Sequence, residues 1–542
     1  MSASREKRQR QSELGKELTQ KQRQELQEKQ AAKRKAVLYT VIGVIAAVLV
    51  VILLVWHSGI FQRGQTALTV GGREYTVNDV EYYYRSAMVS EYYSTMDYTT
   101  SVAAFDPNSD LRDQFMPSED EDAEPVSYHD YFLQQATEKL IQVAALENAA
   151  AEEGYTLSEE DLADVEAVME STRLSGEQSG FPNLAGYLKA SFSRFMTVDA
   201  YRTCVERDVL TAAYQQSYSD ALEVTDADLE TYYEENAGNL DSFDYRYILI
   251  NGQAQAATDE EGNAVEPTDE DEMTAMEAAH QKAQNLRTAV MAADDREQAF
   301  IDLIPDYVSE STRDSYLEDP DRSLSQGYMG SSLSSVYGDW LRDADRTAGD
   351  IEIFEGSTGY YVVLFLDRYL DENPTVDIRH ILVKAEVPAD DPETEDVDES
   401  DVAPTQEALD AAKTEAEELL AQWEAGDKTA ESFGTLAQEN SDDSGSASKG
   451  GLISRVEKGE MFADFDAWIF DEARQPGDTT LMENPQDGQQ GWHVIYFQSW
   501  EPSVWESTSD SAIRSQRVTD WLDGLTEGLE AVQADGIKYV GK

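Results

Sequence analysis

Residues 377–383 read DIRHILV, and residues 491–497 read GWHVIYF. Each is a short run of aliphatic, β-branched and aromatic residues, the composition of a strand packed in a sheet. Each carries one histidine, His380 in the first run and His493 in the second. Earlier in the chain the same text appears twice more, as DYRYILI over 244–250 and GYYVVLF over 359–365. There Tyr247 and Tyr361 stand where the later runs have histidine.

Between the runs the two copies agree again. An acidic, Pro-containing loop follows each first strand, 252–271 in one copy and 386–404 in the other. Each loop leads into an Ala/Glu/Lys-rich helix, EMTAMEAAHQKAQNLRTAV and TQEALDAAKTEAEELLAQWEAG. Trp340 precedes Asp350 by ten positions in WLRDADRTAGD, as Trp468 precedes Asp478 in WIFDEARQPGD. So many matches in the same order mark an internal repeat of two β-α-β units, each about 120 residues long. One strand histidine is usually a core residue. Two on the terminal strands of one unit, both tyrosine in its sister, form a sharper pattern. In a small antiparallel sheet such strands can be neighbours, so that the two rings could meet at one face.

Outside the repeat, Val37–Trp56 is VLYTVIGVIAAVLVVILLVW, twenty residues without a charge. As a helix it spans about 30 Å, the thickness of a bilayer's hydrocarbon core. Lys33, Arg34 and Lys35 precede it directly, which predicts a cytoplasmic N-terminus with the bulk of the chain outside. The run is long for a cleaved signal, and no small-x-small site follows it at 56–59, so an uncleaved anchor is expected.

From Ala67 onward a hairpin is expected around Gly71 and Gly72, with Asn78 or Asp79 capping the next helix. An acidic stretch, Asp106–Pro125, reads as a loop. Helices are expected over 131–153, from Ser158, over 198–219 and over 225–235. Thr508–Ala534 reads as an amphipathic helix and Ile537–Val540 as a short strand.

The formal net charge is −66. Residues 1–36 hold eleven Lys and Arg against five Glu, leaving about −72 on the remainder. Such a surface repels phosphate backbones and excludes nucleic-acid binding. The single cysteine, Cys204, permits no intramolecular disulfide. The five histidines are too scattered for a metal site, and no cofactor is implied.

Four blocks of the second unit, in order, are DIRHILV, SFGTLAQENSDDSGSASKGG, KGEMFADFDAWIFDEARQPGD and GWHVIYF. They resemble the successive landmarks of the parvulin-type (PpiC, rotamase) peptidyl-prolyl cis/trans isomerases. The arrangement around them is similar to PrsA- and SurA-type foldases. The resemblance implies an α+β multidomain protein. Its expected parts are a basic cytoplasmic segment at 1–36, a transmembrane helix at 37–56 and a helical chaperone region at 66–240. A degenerate parvulin-like domain at 241–372 and a parvulin isomerase domain at 373–503 follow, each a small antiparallel sheet with surrounding helices. The helix and strand of 504–542 return to the helical region.

The resemblance also implies a site. His380 and His493 match the family's sheet histidines, and Met461 and Phe465 match the apolar residues that receive the proline ring. Asp443 falls where the family places Cys or Asp, with Asp442 adjacent and not separated from it by alignment. Met461 and Phe465, spaced i, i+4, also fit the core face of a helix. Two departures stand out. Gln490, Gly491 and Trp492 precede His493 where a Ser or Thr is common, and LISRV follows Gly451 where Asp-Leu-Gly is common. The implied partners are unfolded or partly folded exported polypeptides with Xaa-Pro bonds, beside a bacterial cell membrane. The competing readings are a holding chaperone or scaffold without catalysis, and an assembly factor for one partner. The first unit, lacking both histidines, reads as a substrate-binding relic or a spacer.

Overall fold

The computed structural model describes residues 6–8, 40–50, 59–96, 103–118, 124–258, 264–387, 403–486 and 488–542. Of the apolar run 37–56, residues 40–50 are described and are helical; the rest of that run lies outside the described residues. Among the described residues no helix is long and apolar enough to cross a membrane. Most of the basic segment 1–36, and parts of the acidic loops after the first strand of each copy, also lie outside them. The chain divides into two compact units, one of residues 1–222 with 515–542 and one of residues 223–514.

In the first unit, β1 (Thr66–Val70) and β2 (Arg73–Thr76) form the expected hairpin. Gly71 and Gly72 turn it with φ of 56° and 82°, values glycine adopts without a Cβ clash. The next helix, α1 (Val77–Ser94), is capped by Thr76 rather than by Asn78 or Asp79. Asp79 sits one turn in and its carboxylate accepts from the Thr76 backbone N–H, closing a capping box. Four more helices follow: α2 (Tyr128–Glu153), α3 (Glu159–Gln178), α4 (Leu184–Ser191) and α5 (Val198–Ala221). Gly154 ends α2 in the left-handed region, and Ser158 opens α3 with a capping box to Asp161. Tyr84, Tyr128, Phe132 and Leu140 fill the core between α1, α2 and the hairpin.

The second unit opens with α6 (Asp226–Leu240), capped by Thr225, and then holds the two copies. The first copy contains β3 (Ser242–Asn251) and a two-residue pair, β4 (Ala257–Thr258) with β5 (Ala264–Val265). It continues through α7 (Asp269–Met291), α8 (Arg296–Tyr307), α9 (Glu310–Glu318), β6 (Leu324–Met329), α10 (Gly338–Arg342), β7 (Ile351–Gly356) and β8 (Gly359–Tyr369). The second copy runs β9 (Pro374–Lys384), α11 (Gln406–Ala425), α12 (Ala430–Asn440), β10 (Leu452–Val456), α13 (Ala463–Ile469), β11 (Thr479–Asn484) and β12 (Gly491–Ser503). The strand orders are β6-β3-β8-β7 and β10-β9-β12-β11, antiparallel throughout. The first and last strands of each copy are therefore central neighbours.

The copies also pack alike. Ala279, Ala283, Leu286 and Val290 line one stripe of α7 against Ile248, Ile250, Val362 and Leu364. Ala412, Ala416, Leu419 and Trp423 line α11 against Ile381, Val383, Val494 and Tyr496. Arg346 lies over Trp340 and pairs with Asp343 and Asp350; Arg474 lies over Trp468 and pairs with Asp471 and Asp478. Each guanidinium carbon is 4.9 Å from its ring centroid. One clear difference follows the long helix. The first copy has two helices there, α8 and α9, whereas the second has α12 and then a loop, residues 441–451.

The tail departs from its expected boundaries. The helix α14 is Val504–Thr526, not 508–534. A strand, β13 (Ala531–Gln533), then pairs with β1, and Asp535–Tyr539 forms a 3-10 turn instead of a strand.

Candidate active site

His380 is in β9 and His493 in β12. The ladder pairs His380 with Ile495 and His493 with Leu382, so the histidines are diagonal neighbours on one face. Their Nδ1 atoms are 3.1 Å apart. Both rings are buried, at 5% and 7% exposure. The backbone of His380 is fixed from outside the ladder by its N–H bond to Gly451 O at 2.9 Å. Gly451 is at φ 70°, and a Cβ there would lie 2.2 Å from His380 O. Only glycine lets the loop come this close.

The 441–451 loop supplies the third group. Asp442 N–H bonds Leu382 O at 2.8 Å, while the Asp442 carboxylate accepts from Lys384 N–H at 2.9 Å. With its neighbour so held, Asp443 turns inward, and its Oδ2 lies 2.9 Å from His380 Nε2. Ser446 joins them, with its Oγ 2.9 Å from His380 Nε2 and its hydroxyl donating to Asp443. The two adjacent aspartates thus have different jobs in the structure, Asp442 on the backbone and Asp443 on the ring.

The electrostatics fix the protons. Burial lowers the pKa of His493 to about 3, with the His380 ring adding to the effect. Burial also lowers that of His380, although Asp443 opposes this. For Asp443, burial acts upward, but bonds from Ser446, Gly445 and His380 outweigh it and hold the carboxyl below its ordinary range. At neutral pH both rings are therefore neutral and Asp443 is ionised. An ionised carboxylate only accepts, so His380 carries its proton on Nε2 and its Nδ1 is bare. His493 must then donate from Nδ1, leaving its own Nε2 as a free acceptor.

An aromatic wall stands beside His493. The Phe465 ring meets it edge-on at 5.4 Å between centroids, and Phe462 lies at 6.1 Å. Phe465 is 2% exposed and points inward from α13; Met461 is half-buried in the same cluster. Met461 precedes the N-cap, Phe462, so Met461 and Phe465 do not share a helix face. Met482, paired with His493 across the ladder, belongs to the same cluster. The five residues singled out from sequence thus lie together around this face. Sequence reasoning missed Ser446, Phe462 and Met482. The spacing Asp443-x-x-Ser446 was the available signal for the first, since Asp commonly bonds backbone and hydroxyl groups two or three positions on.

Among the described residues the first copy has no such chain of polar groups. Tyr247 and Tyr361 occupy the matching register, with Tyr361 opposite Leu249 and their centroids 6.3 Å apart. Tyr337 packs between them at 5.9 and 5.5 Å. Burial pushes the Tyr247 and Tyr337 hydroxyls upward in pKa, so these rings stay neutral. Among the described residues no cluster of three or more His, Cys, Asp or Glu is placed to hold a metal ion.

Comparison with known proteins bears on the second copy. Residues 380–499 match the profile of the rotamase family, the PPIC-type PPIASE domain. No curated protein matches the chain. Several solved structures are similar to it at low identity. A foldase protein PrsA from Streptococcus pneumoniae is 15% identical, with a TM-score of 0.20, over 48% of this chain and 80% of that one. PrsA from Bacillus cereus is 14% identical, with a TM-score of 0.18, over 53% and 96%. A SurA-like chaperone of Campylobacter jejuni is 12% identical, with a TM-score of 0.16, over 38% and 66%. At such identity and TM-score these likenesses carry no argument about function. With the family match covering both histidines and the loop between them, the chain carries over residues 380–499 a PPIC-type rotamase domain, a peptidyl-prolyl cis/trans isomerase domain of the parvulin type.

Proposed function

We propose that the chain is a membrane-anchored foldase that isomerises Xaa-Pro bonds in exported polypeptides outside the cytoplasm, with His380, His493 and Asp443 as its catalytic groups. The observation that carries the site is the buried run of hydrogen bonds from Asp443 through His380 to His493, ending against the Phe465 ring. The anchor rests on the uncharged run 37–56 with its basic N-terminal flank. The first copy, with tyrosines in place of both histidines, serves as a non-catalytic, degenerate parvulin-like domain.

The chemistry needs no covalent step. Amide resonance sets a barrier of about 18–20 kcal/mol to rotation about the prolyl bond. A site lowers it by binding the twisted amide better than either planar form. In this reading Met461, Phe465 and Phe462 hold the pyrrolidine ring dry while the carbonyl side turns. A rigid, neutral histidine pair costs little desolvation next to an apolar ring, unlike a charged one. Asp443 fixes the tautomer of His380, and His380 fixes that of His493.

The test is a prolyl-isomerisation assay on Xaa-Pro peptides. His380→Ala and His493→Ala are expected to lower kcat/KM on the order of a hundredfold, ~2.7 kcal/mol, with the fold retained. Tyr247→Ala and Tyr361→Ala are expected to leave the rate on short peptides unchanged. A folded but inactive wild type would instead favour a holding chaperone, the reading to which the tyrosine-lined face of the first copy lends support.

A further inference from the structure

The two copies differ along one sheet edge. In β9, residues 380, 382 and 384 turn their backbone groups away from β12, and the second copy closes that edge with its own loop. Gly451 O takes His380 N–H, Ser441 Oγ takes Leu382 N–H at 3.1 Å, and Leu382 O takes Asp442 N–H at 2.8 Å. The Asp442 carboxylate completes the set on Lys384 N–H. Ser441 is itself extended, at φ −80° and ψ 131°.

The equivalent residues of β3 are Tyr247, Leu249 and Asn251. The ladder to β8 continues through Gly252, whose N–H bonds Thr358 O at 2.9 Å, so Leu249 and Asn251 present their backbone groups to the other side. There β6 covers the edge only as far as Arg246, opposite Leu324. In place of the 441–451 loop the first copy has α9 and a 3-10 turn, Pro320–Ser323. Among the described residues none hydrogen-bonds the outward backbone groups of Leu249 and Asn251. Leu249 is 36% exposed. A cavity of about 590 Å³ lies against the edge, bounded by Tyr247, Leu249, Asn251, Thr312, Tyr316 and Arg322.

An open edge offers a template for another strand, and proteins usually blunt one with Lys, Pro, a bulge or a covering loop. Among the described residues none of these protects Leu249 or Asn251. We propose that residues 247–251 form a docking edge for an extended stretch of unfolded polypeptide, which adds as a strand in line with β6. One of its side chains enters the cavity beside Tyr247 and Tyr316. The occupant follows from two observations. The sister copy seats a length of its own chain, Ser441–Asp442, on the same register. The substrate of a prolyl isomerase is itself polypeptide, and the inference rests on the reading that these substrates arrive unfolded. Recognition through main-chain groups tolerates many sequences, as a general folding factor requires. The copy without histidines would then hold the chain while the copy with them isomerises it.

The test is amide hydrogen exchange on the full chain in detergent, with and without a permanently unfolded polypeptide that contains no proline. Such a probe separates the edge from the prolyl site. The amides of Leu249 and Asn251 are expected to exchange at least about tenfold more slowly in the complex. Leu249→Pro removes an N–H that no described residue accepts, and should weaken binding of the probe about tenfold; Leu249→Ala keeps it and should stay within about twofold. Isomerisation of a short Xaa-Pro peptide, measured alongside, should not change in either variant, so loss of the docking edge is distinguishable from failure of the isomerase reading. Unchanged exchange at both amides with the probe bound would overturn the proposal. So would protection that grows with protein concentration alone, which would seat a second copy of the chain on the edge. If Leu249→Pro unfolds, the exchange measurement on the native protein still decides.

Discussion

Asp443 determines where each proton sits along the site. As an ionised acceptor it draws the His380 proton to Nε2, and the order passes on to His493. Removing it as Asp443→Ala leaves Ser446 as the remaining partner of His380 Nε2. The expected result is a fall in kcat/KM of about tenfold, smaller than for loss of either histidine. Asp442→Ala should cost less activity than Asp443→Ala, because its carboxylate holds a backbone amide and not a ring. The assay that ranks these two variants checks the assignment, and the reverse ranking would refute it. The histidine pair was legible in the sequence because the sister copy has tyrosine at both places. The choice between adjacent aspartates was not. It depends on how the Asp442 amide is pinned to Leu382, a contact 60 positions distant along the chain. Phe462 escaped notice for a similar reason. Only the start of α13 at Ala463 turns its ring toward His493.

At the scale of elements, periodicity carried most of the pattern. The stripes of α7 and α11, and the strands bearing the histidines and their tyrosine counterparts, follow from apolar spacing alone. The tail shows where spacing misleads. Its apolar stripe continues to Val532, but Gly528 adopts φ 75° and ends any helix. The residues beyond then satisfy their backbone groups on β1. Gly536 lies against the backbone of Thr66, where a Cβ would come within 2.6 Å, and the chain turns instead of extending. Beyond that turn Val540 is fully buried in the core of the first unit. Truncation after Thr526 removes β13 and this valine together. It should destabilise the first unit by about 3 kcal/mol or more, seen as a lower denaturant midpoint and faster proteolysis of residues 66–221. Peptide isomerisation, a property of the second copy, should survive. An unchanged midpoint would show that the tail contributes nothing to that core.

For the whole molecule, the sequence shows a basic end, an uncharged run and a strongly acidic remainder. The repeat within that remainder reaches down to matched Trp–Arg stacks, yet the copies diverge where chemistry would reside. One closes its edge with a loop that brings Asp443 to His380; the other has a helix in place of that loop, leaves the edge open and sets aromatic rings at the matching positions. The divergence was readable as two histidine-to-tyrosine exchanges. The open edge beside them was not, since it depends on which loop returns to which strand.

The central claim is that isomerisation runs on a neutral histidine pair in the second copy. Its most direct test is the pH dependence of kcat/KM for a short Xaa-Pro peptide. Burial holds His493 near a pKa of about 3 and keeps His380 below its ordinary value. Both rings are therefore uncharged at neutral pH; His493 stays so as pH falls through the ordinary histidine range, and His380 titrates below its ordinary value. The account predicts no loss from about pH 8 down to about 7, and a midpoint below the ordinary histidine value of about 6.5. Loss should appear only at lower pH, where the unfolded state binds protons that the folded rings refuse and stability falls with it. A half-loss of activity centred near about pH 6.5 would mean an ordinary, solvated histidine and would contradict the account.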